Sequence, residues 1–411
     1  MAERDDIEAG PALPDKPSIA VLAFKNMSAD PEQEYFSDGI TEDIITELSK
    51  ISGLFVIARH SSFIYKEKPV TTRQVGRELG VRYVLEGSVR RAGNRLRITA
   101  QLIDSATDHH LWAERYDRDL TDIFAVQDEI TEKIVAALEV KLTAGEQKQA
   151  AGRYTDNLEA YDYFLRGRAY QLRVTKEATA GARKMFERAI ELDPSFAGAY
   201  ALLSHVHYQD WRHEWSEVPN PLDRALAAAE KAVALDDSLP LAHTYLAWVH
   251  VWKKQHEQAI AEGERAIAFD HNFAEGYAYL GNILNFAGKP EEAVAAIERA
   301  MRLDPHYPPN YLVYLARGYD LLGKREDAIA ALRKCITLDP DRFAAHQLLA
   351  SIYGQLGRKE EAEVEVAEML RIRRHADFNT SLADQREKIP YKDQAVLERY
   401  LEGLRKAGLP E

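Results

Sequence analysis

Histidine and carboxylate side chains lie close together in one stretch of this 411-residue chain. His205, His207 and His213, followed by Glu214, are residue types that bind metal ions. Residues two apart on a helix point to different faces, so His205 and His207 would not share one ion. We therefore interpret them as ordinary histidines on a helix surface or in a groove, and we predict no metal site.

A group of carboxylates, Asp38, Glu42, Asp43 and Glu47, falls within residues 34–50, which have helical spacing. Paired carboxylates can carry out general acid–base chemistry. Near the start of a helix, carboxylates also interact favourably with the helix dipole and face solvent. We favour the second interpretation, and an enzyme with a site in this region is the competing hypothesis, to be tested by loss of activity in Asp38 or Glu42 variants.

Other motifs of catalysis or cofactor binding are weak. The spacing of the glycines matches neither GxGxxG nor GxxxxGK[ST], and no Ser/His/Asp or Cys/His triad is visible. A predicted hairpin is basic, with Arg90, Arg91, Arg95 and Arg97. Few aromatic residues lie among these arginines, which favours surface or interdomain contacts over nucleic-acid binding. We predict a protein that is not an enzyme and binds no cofactor.

The composition narrows the classes of partner. A formal net charge of -13 and a pI of about 5.6 argue against nucleic acid as a partner. No stretch approaches the ~18 apolar residues of a membrane span, and the acidic N-terminus does not resemble a secretory signal. The single cysteine, Cys335, excludes an intramolecular disulfide and suits a reducing compartment. We expect a cytoplasmic protein without direct membrane insertion.

The second half of the chain contains a degenerate repeat of about 34 residues. A period of this length indicates stacked helical hairpins, which become stable only as an array. The repeat is marked by a recurring tail: Leu192-Asp193-Pro194, Leu235-Asp236-Asp237, Phe269-Asp270-His271, Leu303-Asp304-Pro305 and Leu338-Asp339-Pro340. Small residues stand where two helices would cross closely, as in Ala274–His306, with Gly281, Ala293 and Ala300. We count six units.

This pattern resembles the tetratricopeptide repeat, in which the first helix of each hairpin lines the concave face. The resemblance implies a groove that captures a protein or peptide, with Asn and Arg as donors and aromatic rings as apolar contacts. The alternatives are a solvated groove or contact with the N-terminal domain. The residues placed in the groove are Arg168, His205, Tyr208, Gln209, Trp248, Val251, Trp252, Asn282, Asn285, Phe286, Arg317, Asp320, Ser351 and Gln355.

The first half of the chain predicts a compact α/β domain. Its pattern reads β-α-β-α-β-β-β-α, with strands at 18–24, 54–58, 82–91, 95–104 and 109–117 and helices at 34–50, from Thr71 or Thr72 to near Gly80, and at 122–142. We predict a mixed sheet with three helices, followed by an all-α tetratricopeptide superhelix. The predicted divisions are a flexible lead-in (1–17), the α/β domain (18–142), a linker (143–157), six repeats (158–375) and a C-terminal capping helix and tail (376–411).

The α/β domain resembles the TolB N-terminal-like (FlgO-like) domain of bacterial regulators. The residues that carry the resemblance are Pro17–Phe24, Asp30–Ile44, Tyr83–Arg90 and Leu111–Asp117. In that family, this domain and the repeats commonly follow a cyclase domain of the adenylate or guanylate type, and in other members a winged-helix DNA-binding domain or a kinase. Only 17 polar residues precede the domain here, so we expect a stand-alone accessory protein or a fragment of a longer one.

The resemblance implies a non-catalytic interaction module in bacterial cyclase-type signal transduction. The partner would be a protein or peptide held in the concave groove. The alternatives are the regulatory part of a transcription regulator without its DNA-binding domain, and an oligomerising scaffold whose groove binds a second copy of the chain.

Overall fold

A computed structural model describes residues 12–143, 155–215, 219–374 and 381–411. Most of the expected lead-in (residues 1–11), most of the expected linker (residues 144–154) and residues 376–380 of the expected C-terminal division lie outside the described residues.

Within the described residues, the first domain is built on a mixed sheet of six strands: β1 (Ser18–Val21), β2 (Lys25–Asn26), β3 (Phe55–Val56), β4 (Tyr83–Ala92), β5 (Arg95–Asp104) and β6 (His109–Asp119). Five of them lie side by side in the order β3-β1-β4-β5-β6. Strand β1 is parallel to β3 and β4, and β4, β5 and β6 form an antiparallel meander. The short β2 follows β1 and also pairs with β4. Strand β1 ends three residues before the predicted end at Phe24, and β2 lies just beyond that end and was not predicted.

Between residues 12 and 143, four α-helices accompany this sheet: α1 (Glu34–Ser49), α2 (Arg59–Phe63), α3 (Thr72–Leu79) and α4 (Ile123–Ala137). The predicted caps of α3 are correct, because the Thr71 side chain accepts a hydrogen bond from the Gln74 amide and Gly80 ends the helix with φ 63°. Five-residue α2 was not predicted, since a segment this short shows no helical period, and α4 ends five residues before the predicted Leu142.

In the part of the chain that the structure describes, six helical hairpins follow, each with a helix A and a helix B. They are α5 (Leu158–Gln171) with α6 (Lys176–Leu192), α7 (Ala197–Arg212) with α8 (Pro221–Leu235), α9 (Pro240–Trp252) with α10 (His256–Phe269), α11 (Ala274–Ala287) with α12 (Pro290–Leu303), α13 (Asn310–Leu321) with α14 (Arg325–Leu338), and α15 (Phe343–Leu356) with α16 (Lys359–Arg374). None of the helices that the structure describes combines the length and apolar character needed to cross a bilayer.

The recurring aspartate of the repeat closes the turn between one hairpin and the next. Asp193, Asp236 and Asp270 each accept a hydrogen bond from the backbone amide two residues further on, at 2.9 to 3.0 Å. Such turns leave the helix and start the next one in a fixed direction. At these three junctions the aspartate therefore recurs because each needs the same turn.

The chain ends by folding back onto the helices A. Helix α17 (Leu382–Lys388), the extended segment 389–393 and helix α18 (Gln394–Lys406) form this C-terminal section. Helix α18 packs on helix A of the sixth repeat, where the hydroxyl of Ser351 donates to the carbonyl of Tyr400 at 2.8 Å. The section covers the last repeat and also runs back over earlier repeats. The expected role of residues 376–411 as a terminal cap therefore describes only part of what the section does.

The two parts of the molecule share apolar cores. One cluster of buried side chains runs from the sheet and α1 of the first domain into the first three repeats. Another joins Phe55 and Val75 of the first domain to Ala274 and Leu303 of the fourth repeat. The α/β domain is therefore packed against the array at two places.

Candidate functional site

The fourteen residues predicted to line the groove lie on the helices A, and the chain itself covers them. Nine are buried and five are half-buried, so none presents a freely exposed side chain. The half-buried ones are Arg168, His205, Gln209, Arg317 and Gln355. The α/β domain covers the first repeat, and the C-terminal section covers the later ones.

At the second and third repeats, aromatic rings fill the predicted groove. Trp248 stacks on Tyr279 with ring centroids 4.5 Å apart. The ring centroids of Tyr208 and Trp252 each lie 5.8 Å from that of Trp248, and 6.0 Å from each other. Half-buried His205 stacks on Tyr245 at 4.8 Å. Val251 and the aromatic residues Tyr208, Trp248 and Trp252 are buried.

At the fourth to sixth repeats, polar groove residues are engaged with one another. Arg317 donates to the Asn282 side chain, and its guanidinium lies 4.4 Å from the ring centroid of Phe286. Asn285 donates to a backbone carbonyl at 2.9 Å. The remaining members are also paired: Asp320 with Arg325 at 3.7 Å, and Gln355 with Ser351 at 3.2 Å.

The extended C-terminal segment lies on this aromatic surface. Ile389 and Tyr391 are buried, and the ring of Tyr391 packs on Phe286 with centroids 5.2 Å apart. The amide of Lys392 donates to the carbonyl of Phe286 at 2.9 Å. The section is anchored further along the array by two ion pairs, Lys388 with Glu214 and Lys392 with Glu257. The groove thus holds an extended peptide that belongs to the chain itself.

Arg168 joins the first repeat to helix α1 of the α/β domain. Its guanidinium contacts Asp43 at 3.0 Å and forms an ion pair with Glu42. The hydroxyl of Tyr161 also donates to Asp43, and Arg59 pairs with Glu42 at 2.9 Å. Two of the four carboxylates considered for acid–base chemistry are therefore held in an interdomain ion-pair cluster, and neither forms the solvated face that we expected of them.

Two aspartates of the repeat tails make a second interdomain contact. The hydroxyl of Ser49 donates to Asp270 at 2.5 Å, and that of Ser61 donates to Asp304. Burial raises the pKa of each carboxyl to about 6, because the hydroxyl and amide donors only partly offset the loss of water. Asn272 adds a bond from its side-chain amide to the carbonyl of Ser49 at 2.8 Å.

These interdomain residues were not identified from sequence as contacts. In the sequence, the recurring aspartates mark the repeat, and their turn-forming role already accounts for their position. One feature of the sequence could have indicated the contact. The turn after Asp270 contains Asn272, whose side-chain amide can donate two hydrogen bonds, whereas the first two junctions have Ser195 and Ser238 at the same position.

A cavity of about 420 Å³ remains between the two parts. It is bounded by α1 and residues 56–60 on one side and by the helices A of the first five repeats on the other. Glu42, Arg59, Arg168, Tyr245, Glu275 and Tyr279 are among its polar or aromatic lining residues. The cavity was not predicted, because it exists only where two distant parts of the chain meet.

The histidines near residue 210 have separate neighbours. His205 stacks on Tyr245, His207 lies 4.0 Å from Asp210, and His213 stacks on Trp215 at 4.3 Å. Burial lowers the pKa of His205 to about 4, which keeps its ring neutral. Within the described ranges, no group of three histidine, cysteine or acidic residues is arranged to hold a metal ion.

Comparison with protein-family models identifies the helical part as tetratricopeptide repeats. Residues 274–307 and 321–384 match two tetratricopeptide repeat models. Residues 15–133 match the model described as the HilA/YgeH-like transcriptional regulator, second domain. The expected TolB-like identity of this domain is not confirmed by that match.

A curated protein similar to this chain is "Putative adenylate cyclase 3" of Rhizobium meliloti (strain 1021). The two are 55% identical over 253 residues, which is 61% of this chain and 43% of the relative. The match thus spans less than half of the relative's length.

Among solved structures, similar chains include TTC0263, a tetratricopeptide repeat protein of Thermus thermophilus, and the APC/C hetero-tetramer Cut9–Hcn1. TTC0263 is 20% identical, with 45% of this chain and 94% of that chain covered and a TM-score of 0.37. The Cut9–Hcn1 chain is 19% identical, with 68% of this chain and 52% of that chain covered and a TM-score of 0.45.

Proposed function

We propose that the chain is a non-catalytic regulatory module that binds a protein partner through an extended segment placed in the repeat groove. The observation that supports this most is that the groove already accommodates an extended segment, Ile389–Lys392, with an aromatic ring on Phe286 and a backbone hydrogen bond to its carbonyl. A partner would replace this segment and use the same contacts, which is a known mode of peptide recognition. We therefore expect an apolar residue, an aromatic residue and a basic residue in the partner's segment.

Replacing Tyr391 by alanine is expected to open the groove. The variant loses the ring contacts with Phe286 and Tyr400, so the internal segment competes less well with an added peptide. A synthetic peptide of residues 386–394 should bind the variant at least about tenfold more tightly than the wild type, where the tethered segment has a high effective concentration. Fluorescence anisotropy of the labelled peptide measures this difference.

Glu387→Ala is the matched control, since Glu387 is exposed and lies just before the inserted segment. Its affinity for the peptide should equal that of the wild type. Equal affinities of wild type and Tyr391→Ala would show that the groove does not bind this kind of segment.

We further propose that the partner belongs to a cyclase-type signalling system. This proposal is supported by the similarity to the putative adenylate cyclase of Rhizobium meliloti. When the part of that protein outside the matched region is mixed with this chain, we expect its conversion of ATP to cyclic AMP to change. The Tyr391→Ala variant should change the concentration of this chain that is needed for the effect. If the rate of cyclic AMP formation stays unchanged at saturating concentrations of this chain, a cyclase-associated role is contradicted.

The match of residues 15–133 to a domain of HilA/YgeH-like transcriptional regulators favours a second candidate, the regulatory part of a transcription regulator. The DNA that encodes the chain distinguishes the two. A winged-helix domain encoded in frame and directly upstream would support the second candidate, and a cyclase domain there would support the first.

A further inference from the structure

The interdomain cavity has the size and walls of a small-molecule site. Its volume of about 420 Å³ lies within the ~300–1,000 Å³ typical of such pockets. Much of its lining is apolar, with Ile45 from α1, Leu165 from the first repeat and Phe273 before the fourth repeat. The peptide groove proposed above does not use this space, so the inference goes beyond that function.

The charges that line the cavity are unbalanced. Both of its guanidinium groups, Arg59 and Arg168, are already paired with Glu42, and Asp38 is paired with Lys66. The other lining carboxyls are Asp270 and Asp304, which are held by serine hydroxyls, and Glu275. Within the described residues, Glu275 forms no ion pair, so the cavity has a surplus of negative charge that its own cations do not neutralise.

Glu275 lies beside two aromatic rings at the wall of this cavity. Burial raises its pKa to about 7, with the hydroxyls of Tyr279 and Tyr245 acting in the opposite direction and Glu42 adding to the increase. The rings of Tyr245 and Tyr279 have centroids 6.4 Å apart. A carboxylate flanked by aromatic rings is a suitable environment for a cationic nitrogen, which gains both ionic and cation–π attraction.

We propose that this cavity binds a small organic cation, an amine carried on an apolar body, with its ammonium group against Glu275 and the Tyr245 and Tyr279 rings. Because the walls come from both the α/β domain and the repeats, the ligand stabilises the docked arrangement of the two parts. An anionic ligand would have to compete with Glu42 and Asp43 for Arg168, and with Glu42 for Arg59.

Three probes of similar shape and different charge test this inference on the full chain: 2-phenylethylamine, 2-phenylethanol and phenylacetate. In isothermal titration near pH 7.5, we expect the amine to bind, the alcohol to bind at least about tenfold more weakly, and the acid not to bind. The Glu275→Gln variant should weaken binding of the amine by about tenfold or more, and the Glu264→Gln variant should not, because Glu264 is exposed on helix B of the third repeat.

The proton balance provides a second readout. The amine favours the charged form of Glu275, so binding near pH 7 releases protons, and affinity rises as pH increases from 6 to 8. Two other carboxyls lie near Glu275: Glu42 has a lowered pKa and Asp304 has a pKa of about 6. The pKa values of Tyr245 and Tyr279 lie well above 10. At pH 7.5 these carboxyls are already charged and the tyrosines are neutral, so the Glu275→Gln variant should release no protons.

Three results would overturn the inference: no binding of the amine at millimolar concentration, preferential binding of phenylacetate, or equal amine affinity in wild type and Glu275→Gln. None of these depends on the groove, because the peptide assay with Tyr391→Ala tests that function separately.

Discussion

Replacing Arg168 by alanine is expected to lower the free energy of unfolding by about 3–5 kcal/mol. The side chain of Asp43 is only 4% exposed, and Arg168 contacts it at 3.0 Å while also pairing with Glu42. The variant leaves Asp43 buried with the Tyr161 hydroxyl and the Gln127 amide as donors but with no paired cation. Because these contacts join the first repeat to α1, we also expect the α/β domain to detach from the array before the repeats unfold.

The loss should depend on pH in a defined direction. Burial raises the pKa of Glu42, but Arg168 and Arg59 outweigh it and hold the pKa below its usual value. A lowered folded-state pKa contributes stability above the unfolded pKa of about 4.3, and this contribution disappears as pH falls. Burial already raises the pKa of Asp43 against the opposing effect of Arg168. Without Arg168 the carboxyl takes up a proton more readily and loses its unfavourable charge. The difference between wild type and variant should therefore be largest near pH 7 and smaller near pH 5.

Urea unfolding followed by circular dichroism measures the loss, and hydrogen exchange in α1 measures detachment of the domain. Arg166→Ala is the matched control, two residues away on the same helix. Its side chain is 49% exposed and pairs with Asp162 at 2.8 Å, so we expect a loss of about 1 kcal/mol or less. Equal losses in the two variants would show that the Arg168 cluster does not hold the domains together.

Much of the fold was predictable because its signals are local. The alternation in Arg95–Leu102 predicted β5, and the Thr71 cap and Gly80 bounded α3 correctly. The family-model matches to tetratricopeptide repeats confirm the nature of the array. The errors are also local: β1 ends at Val21, before the predicted end at Phe24, β2 has only two residues, and α2 is too short to show a period.

The candidate site was less predictable because its burial is set by distant parts of the chain. The position of Phe286 on a helix A follows from the repeat register, but its cover, Tyr391, belongs to a segment that shows no periodic pattern. Register also placed Arg168 on a helix A, yet its partners come from α1. Register predicts where a side chain lies on a helix, and it does not predict what packs over it.

The crossing of α18 over helix A of the sixth repeat depends on two glycines. A methyl group at Gly403 would overlap the backbone carbonyl of Ser351, and one at Gly354 would overlap that of Gly403. Neither obstacle is a side chain that could rotate away. Gly403→Ala should therefore separate the two helices and lower the free energy of unfolding by about 1–3 kcal/mol or more. The separation should also loosen the segment around Tyr391 and increase access to the groove.

The sign of this effect is diagnostic, because glycine-to-alanine substitution inside a helix otherwise stabilises by about 0.5–1 kcal/mol. Gly181→Ala is the matched control: it lies within α6, and the atoms nearest to an added methyl group there belong to the side chain of Tyr170, which is 41% exposed. We expect Gly181→Ala to equal or exceed the stability of the wild type in urea unfolding, and Gly403→Ala to fall below it and bind the 386–394 peptide more tightly. If both substitutions stabilise, helix propensity outweighs the close backbone approach, and the closure of the groove does not depend on these glycines.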